Sequence, residues 1–209
     1  MTTTLLIILI LSLIHLVVAN RLNTYILIIA FQGLLLFGIT FIELIEINVL
    51  NLILILLETV VFKSIAIPAF LKYVIRRNNL TREAEPYVSN FLSVAVITVI
   101  IIGSFLLSNT IHDDNVKSMF FVVALSSLFT GLYIMVSRRK LITQVMGFLI
   151  IENGVFVLSL AVGSEMPMIV NIGIMLDIFV SVLLLGIFVN RIGDVLKEHN
   201  AEQLQQLKD

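Results

Sequence analysis

The sequence predicts an all-α polytopic membrane protein of about seven transmembrane helices, with its N-terminus outside and its C-terminus cytoplasmic. Three observations predict it. The 209-residue chain is 59% hydrophobic and 13% charged, with a mean hydropathy of +1.11. A soluble domain with that balance would lack the polar surface to cover its core. Apolar runs at 4–19, 24–45, 49–75, 90–108, 118–136, 141–162 and 167–190 alternate with polar breaks. At about 1.5 Å per residue, runs of this kind cross the hydrocarbon of a bilayer. The basic residues are also one-sided. Arg21; Lys72, Arg76, Arg77 and Arg82; Arg138, Arg139 and Lys140; and Arg191, Lys197 and Lys208 all fall in alternate breaks, eleven of the thirteen Lys and Arg residues. Basic residues favour the cytoplasmic side, and one helix more or fewer would scramble the pattern.

The first run is short and extends back to Thr2. The segment before it lacks the basic n-region and small-residue cleavage site of a secretory signal, so it is expected to be a retained helix. Residues 1–75 then form a three-helix segment whose third helix is kinked at Pro68. Proline removes the hydrogen bond to the Ser64 carbonyl and clashes with it. Residues 76–89, with Arg-Arg-Asn-Asn and Glu-Ala-Glu-Pro, are the one substantial loop, expected on the cytoplasmic side. Residues 90–190 carry four more spans, and 191–209 read as an amphipathic cytoplasmic tail with Val195, Leu196, Leu204 and Leu207 among charges.

Three ionisable residues stand out because Lys63, Glu152 and Asp177 each lie near the middle of an apolar run. A charge there costs about 2.5–3.5 kcal/mol on insertion scales, so its presence points to an ion or proton path. The plainer alternative is a lysine–carboxylate pair that only ties helices together. Glu58 shares the helix of Lys63 but lies about 140° around an ideal α-helix from it, at about 100° per residue, so the two are not expected to pair well. In the sixth run Gln144 and Glu152 share a face, with Asn153 alongside, while Gly147 and Gly154 allow a neighbouring helix to come close. The seventh places Asp177 and Ser181 on one face, with Asn171 nearer the outer end.

Other polar residues are weaker candidates. Gln32, mid-span, is placed to hydrogen-bond across helices. Glu43 and Glu46 end the second run and either sit in the membrane interface or contribute to the path. His15 reads as a helix contact or a relay. The three histidines are too scattered for haem or metal ligation, and the absence of cysteine excludes disulfides and iron–sulfur ligation. No phosphate loop, nucleophile elbow or dinucleotide fingerprint is present, so no cofactor and no catalytic centre are expected.

Phe-Lys-Ser-Ile-Ala-Ile-Pro at 62–68, Ser-Arg-Arg-Lys-Leu-Ile at 137–142, Ile-Glu-Asn-Gly at 151–154 and Gly-Ile-Met-Leu-Asp-Ile at 173–178 resemble component E of hydrogenase-4, a complex-I-like membrane hydrogenase of bacteria. The resemblance covers nearly the whole chain. The last three runs are also similar to the small K subunit of complex I and its counterpart in Mrp-type antiporters. There the first carboxylate would fall at Leu149, whereas Glu152 lies one turn later; Asp177 occupies the second acidic position. The resemblance implies a non-redox membrane-arm subunit in a prokaryotic cytoplasmic membrane. Its partners would be antiporter-like and complex-I-like subunits and a peripheral hydrogenase module. Lys63, Glu152 and Asp177, together with Glu58 and Gln144, would then serve proton or sodium translocation. The alternatives are a structural adaptor of that complex and a subunit of an Mrp-type antiporter.

Overall fold

A computed structural model describes residues 1–43, 53, 55–77, 87–111, 116–138 and 140–162. Within them every regular element is helical: α1 (Thr2–Val18), α2 (Leu22–Glu43), a π-helical segment (Leu57–Ala66), α3 (Ile67–Arg77), α4 (Asn90–Thr110), α5 (Ser118–Ser137) and α6 (Leu141–Val162). Of these, α2, α4, α5 and α6 are long and apolar enough to cross a membrane, and α1 is a shorter apolar helix. The π-helical segment runs on into α3 without leaving helical backbone at Ile67, so the two form one rod. The seventh run, with Asn171, Asp177 and Ser181, and the 191–209 tail lie outside the described residues, as do Glu46 and most of the 76–89 loop.

Consecutive helices run up and down. At one end, Tyr87 N–H donates to the Ser137 carbonyl (3.3 Å) and Asn90 Nδ2 approaches Asn20 Oδ1 (3.4 Å). At the opposite end, Ser108 Oγ donates to the Ser118 carbonyl (3.2 Å), Lys117 N–H donates to the Ala161 carbonyl (3.0 Å), and the Lys117 ammonium pairs with the Glu43 carboxylate. Lys117 is the lone cation expected on its side of the chain, and the end of α2 supplies its counter-ion.

On α4 the burial pattern is inverted from that of a helix in a soluble bundle. Helix α4 buries Ser93, Ser104 and Ser108 together with Ile97, and turns Phe91, Val99, Ile102, Phe105 and Leu106 outward. Ser93 accepts a hydrogen bond from Tyr133 Oη of α5 at 2.8 Å, and Ser104 donates to the Ile100 carbonyl of its own helix. In water such a helix would expose its greasy face; in lipid, small and polar residues belong at helix contacts because lipid tails are as apolar as leucine. Large exposed side chains on other helices, among them Leu11, Leu27, Leu34, Ile65 and Phe129, fit the same surroundings.

Helices α5 and α6 make the tightest contact. A Cβ on Gly131 would lie 2.6 Å from the Gly147 carbonyl oxygen and 2.9 Å from the Ile151 nitrogen; one on Gly147 would lie 2.9 Å from the Gly131 carbonyl oxygen. Gly154 meets the Ala124 and Leu128 backbone in the same way. The expectation that Gly147 and Gly154 admit a close neighbour therefore holds, and Gly131 completes the seam from the other side. Helix α6 also touches α2, and α1 lies against α2, α4 and α5.

Gly131→Ala is expected to lower stability by about 1–3 kcal/mol, the range for overpacking a well-filled interface. Gly103→Ala, where an added Cβ meets nothing within 4 Å, is expected to be neutral or to stabilise by up to about 1 kcal/mol through helix propensity. Thermal unfolding of the two variants in one detergent compares them directly.

Candidate functional site

The site begins with the winding of the third helix. Pro68 lacks an N–H, and just before it the chain is in π register: Ile67 N–H bonds the Phe62 carbonyl, five residues back. Hydroxyls support this winding from the side. Thr59 Oγ1 donates to the Ile55 carbonyl (2.6 Å), and Ser64 Oγ donates to the Thr59 carbonyl (3.0 Å). π-helical turns are rare and concentrate at functional positions.

This register corrects the sequence expectation for Glu58 and Lys63. In an α-helix they would point about 140° apart. With hydrogen bonds closing over five residues the turn is wider, and side chains five apart come much closer to one face. Lys63 Nζ lies 3.6 Å from Glu58 Oε1, both side chains are almost completely buried, and the pair belongs to one helix. Proline was expected to kink the helix beside the lysine; what the structure shows beside it is rewinding of the turns ahead of the proline.

Lys63 also faces α6. Its ammonium stands 5.0 Å from the centre of the Phe156 ring, a cation–π contact between two buried side chains. Glu152 lies one turn before Phe156 on the same face of α6, and Asn153 is three residues from it. Glu152 and Asn153 are both buried. The approach of the π-helical segment to α2 depends on Gly33, where a Cβ would lie 2.6 Å from Ser64 Oγ and 3.1 Å from Lys63 Cβ.

A chain of hydrogen bonds crosses the bundle at the middle of the helices. Asn153 Nδ2 of α6 donates to Gln32 Oε1 of α2 (3.1 Å). Gln32 Nε2 donates to Ser12 Oγ of α1 (2.9 Å), and Ser12 Oγ donates to the Leu9 carbonyl (2.6 Å). Gln32 is 1% exposed. Its mid-span position in the sequence suggested a cross-helix bond, and it makes two. Ser12, by contrast, gave no sign in the sequence beyond being a serine in an apolar run.

The remaining candidates separate from this cluster. Gln144 is half-buried near the start of α6, where Nε2 reaches the Arg138 carbonyl (3.4 Å); it sits two turns from Glu152 and bonds at the end of the bundle. His15 is exposed and lines a groove of about 350 Å³ with Ser12, Leu27 and Phe31. Glu43 pairs with Lys117 at the other end. Asp177 lies outside the described residues. Among the described residues no three His, Asp or Glu side chains gather as a metal-binding group.

Sequence reasoning placed Arg138 in a solvated basic break, and the structure buries it. Arg138 Nη2 donates to the Val17 carbonyl (2.9 Å) and its guanidinium lies 5.9 Å from the Tyr25 ring centre. Val17 belongs to the last turn of α1, whose carbonyls have no intrahelical donor, and a cation there also complements the helix dipole. Two neighbouring basic residues masked the signal.

Among curated proteins the chain is similar to one described as "Uncharacterized protein Rv0085" from Mycobacterium tuberculosis (strain ATCC 25618 / H37Rv), 23% identical over 130 residues. The match takes in 61% of this chain and spans 59% of that relative's length. No family model and no solved structure matches the chain.

A double-mutant cycle on Gln32→Leu and Asn153→Leu is expected to give a coupling of about 0.6 kcal/mol and at most about 1.7 kcal/mol, the range for interhelical hydrogen bonds in membranes. Unfolding of the two single variants and the double variant in mixed micelles measures it; additive effects would show that the two amides are not coupled.

Proposed function

We propose that the protein is a non-redox membrane-arm subunit of a complex-I-related nickel–iron hydrogenase or formate hydrogenlyase-like complex. In this reading it crosses a prokaryotic cytoplasmic membrane about seven times, N-terminus outside, and contributes Lys63, Glu152 and Asp177 to proton or sodium translocation. The observation that carries the reading is Lys63: a buried ammonium, paired with Glu58 on its own helix and seated on Phe156, one turn from Glu152. The pair lies within one helix, and the contact with Phe156 brings its ammonium to α6. The Asn153–Gln32–Ser12 chain at the same level adds groups that donate and accept hydrogen bonds. The hydrogenase assignment itself is supported by the resemblance of the 62–68, 137–142, 151–154 and 173–178 segments.

Electron transfer elsewhere in the complex would change charge and hydration around these groups. The π-helical turns beside Pro68 give the lysine-bearing helix a second register nearby, since π and α winding differ by one hydrogen-bond partner per residue. A shift between them would move Lys63 relative to Glu58 and so alter which group holds the proton.

A second reading, a structural adaptor, is favoured by the glycine seam between α5 and α6, which makes that pair a rigid surface for neighbours. An antiporter subunit outside any hydrogenase is a third, distinguished by the chains that purify with the protein.

In vesicles containing the intact complex, Glu152→Gln and Lys63→Gln are expected to leave assembly unchanged and to cut ion uptake per turnover about ten-fold, equivalent to about 1.4 kcal/mol on the transfer step. Normal uptake in both variants rejects the relay; loss of subunits on purification supports the adaptor. Absence of a nickel–iron large subunit from the purified wild-type assembly supports the antiporter reading.

A further inference from the structure

A second feature lies on the outer face of the bundle. Between α2 and the rod made by the π-helical segment and α3 runs a groove of about 570 Å³. One wall is the α2 stripe Asn23, Leu27 and Ala30, spaced at helical intervals; the other rises from Ser64 through Pro68 and Ala69 to Lys72 and Arg76. Ala30 and Ala69 are small, and between them the two helices leave a trough. The deep end is apolar apart from Ser64, and the shallow end carries two cations.

Lys72 and Arg76 are four residues apart, so both side chains leave α3 on one face about 6 Å apart along the axis. Both are exposed, and neither forms an ion pair among the described residues. They lie at the end of the bundle where basic residues collect. Cations at this depth reach the headgroup layer, while the trough below them lies along acyl chains.

We propose that this groove binds an anionic phospholipid, with its phosphate between Lys72 and Arg76 and an acyl chain along Leu27, Ala30 and Ala69. The shape requires an amphiphile. A soluble anion would match the cations and leave the trough open to hydrocarbon. A zwitterionic lipid would fill the trough, yet its own ammonium would compete for the phosphate. Basic pockets between membrane helices on the cytoplasmic side hold anionic headgroups for the same reason. The lipid would also lie behind Ser64, next to Lys63 in the chain, and so brace the π-helical turns from outside. The proposal needs the chain to cross a membrane but does not depend on which complex contains it.

The test uses the full chain in nanodiscs of equal parts dioleoylphosphatidylglycerol and dioleoylphosphatidylcholine, released into mild detergent for native mass spectrometry. Wild type is expected to retain phosphatidylglycerol selectively. Lys72→Gln with Arg76→Gln is expected to reduce that preference about 30-fold, the effect of two surface cations. Lys72→Arg with Arg76→Lys keeps both charges and is expected to keep the preference, which separates charge from folding. Ala69→Leu, at an exposed position, fills the trough and is expected to release both lipids. Equal retention of the two lipids by wild type overturns the proposal, as does undiminished selectivity in the neutral double variant. A tightly held protein chain that blocks lipid from the groove also overturns it, and assigns the face to a partner helix.

Discussion

The Lys63 ammonium is a demanding group among the described residues, because it is almost completely buried between helices that turn large apolar side chains outward. An isolated cation at that depth costs about 2.5–3.5 kcal/mol on insertion scales. The structure offsets this with a carboxylate and an aromatic face, and both contacts depend on π winding from Leu57 to Ala66. Wound as an α-helix, the segment would send Glu58 and Lys63 to different neighbours. The departure from ideal geometry is therefore what lets the charge be accommodated, and it is held in place by Pro68, Thr59, Ser64 and the gap left by Gly33.

Around that point the bundle uses two kinds of contact. Backbone-to-backbone approach at Gly131 and Gly147 fixes α5 against α6, and so fixes where Asn153 and Phe156 stand. Side-chain hydrogen bonds then connect α6 through Gln32 to Ser12 of α1. The first contact is rigid because moving it means moving main chain. The second can exchange partners, since amides and hydroxyls both donate and accept. The bundle thus combines a stiff frame with an adaptable polar centre. The ends are closed by separate devices, Glu43 with Lys117 at one and Arg138 on α1 at the other.

Much of the fold was legible along the chain. The runs beginning at 90, 118 and 141 reappear as α4, α5 and α6 with the same starts, because an unbroken apolar stretch bounded by polar residues leaves a membrane helix few alternatives. Lys63, Glu152 and Gln32 stood out by the same logic, a polar side chain where hydrocarbon was expected. Ser12 and Arg138 did not. A serine is unremarkable in any membrane helix, and an arginine next to Arg139 and Lys140 reads as one more loop charge. Their roles arise from what α2 and α1 place beside them, which no local pattern encodes.

Apolar run lengths, the one-sided basic residues and the buried ionisable positions belong to the sequence itself, because hydropathy and charge are properties of residues taken in order. Which polar groups meet belongs to the tertiary structure. Pairing Glu58 with Lys63 required a change of helical register, and joining Asn153 to Gln32 required α2 and α6 to come into contact. The first is a matter of how one helix is wound and the second of which helices touch, and neither follows from the order of residues along the chain.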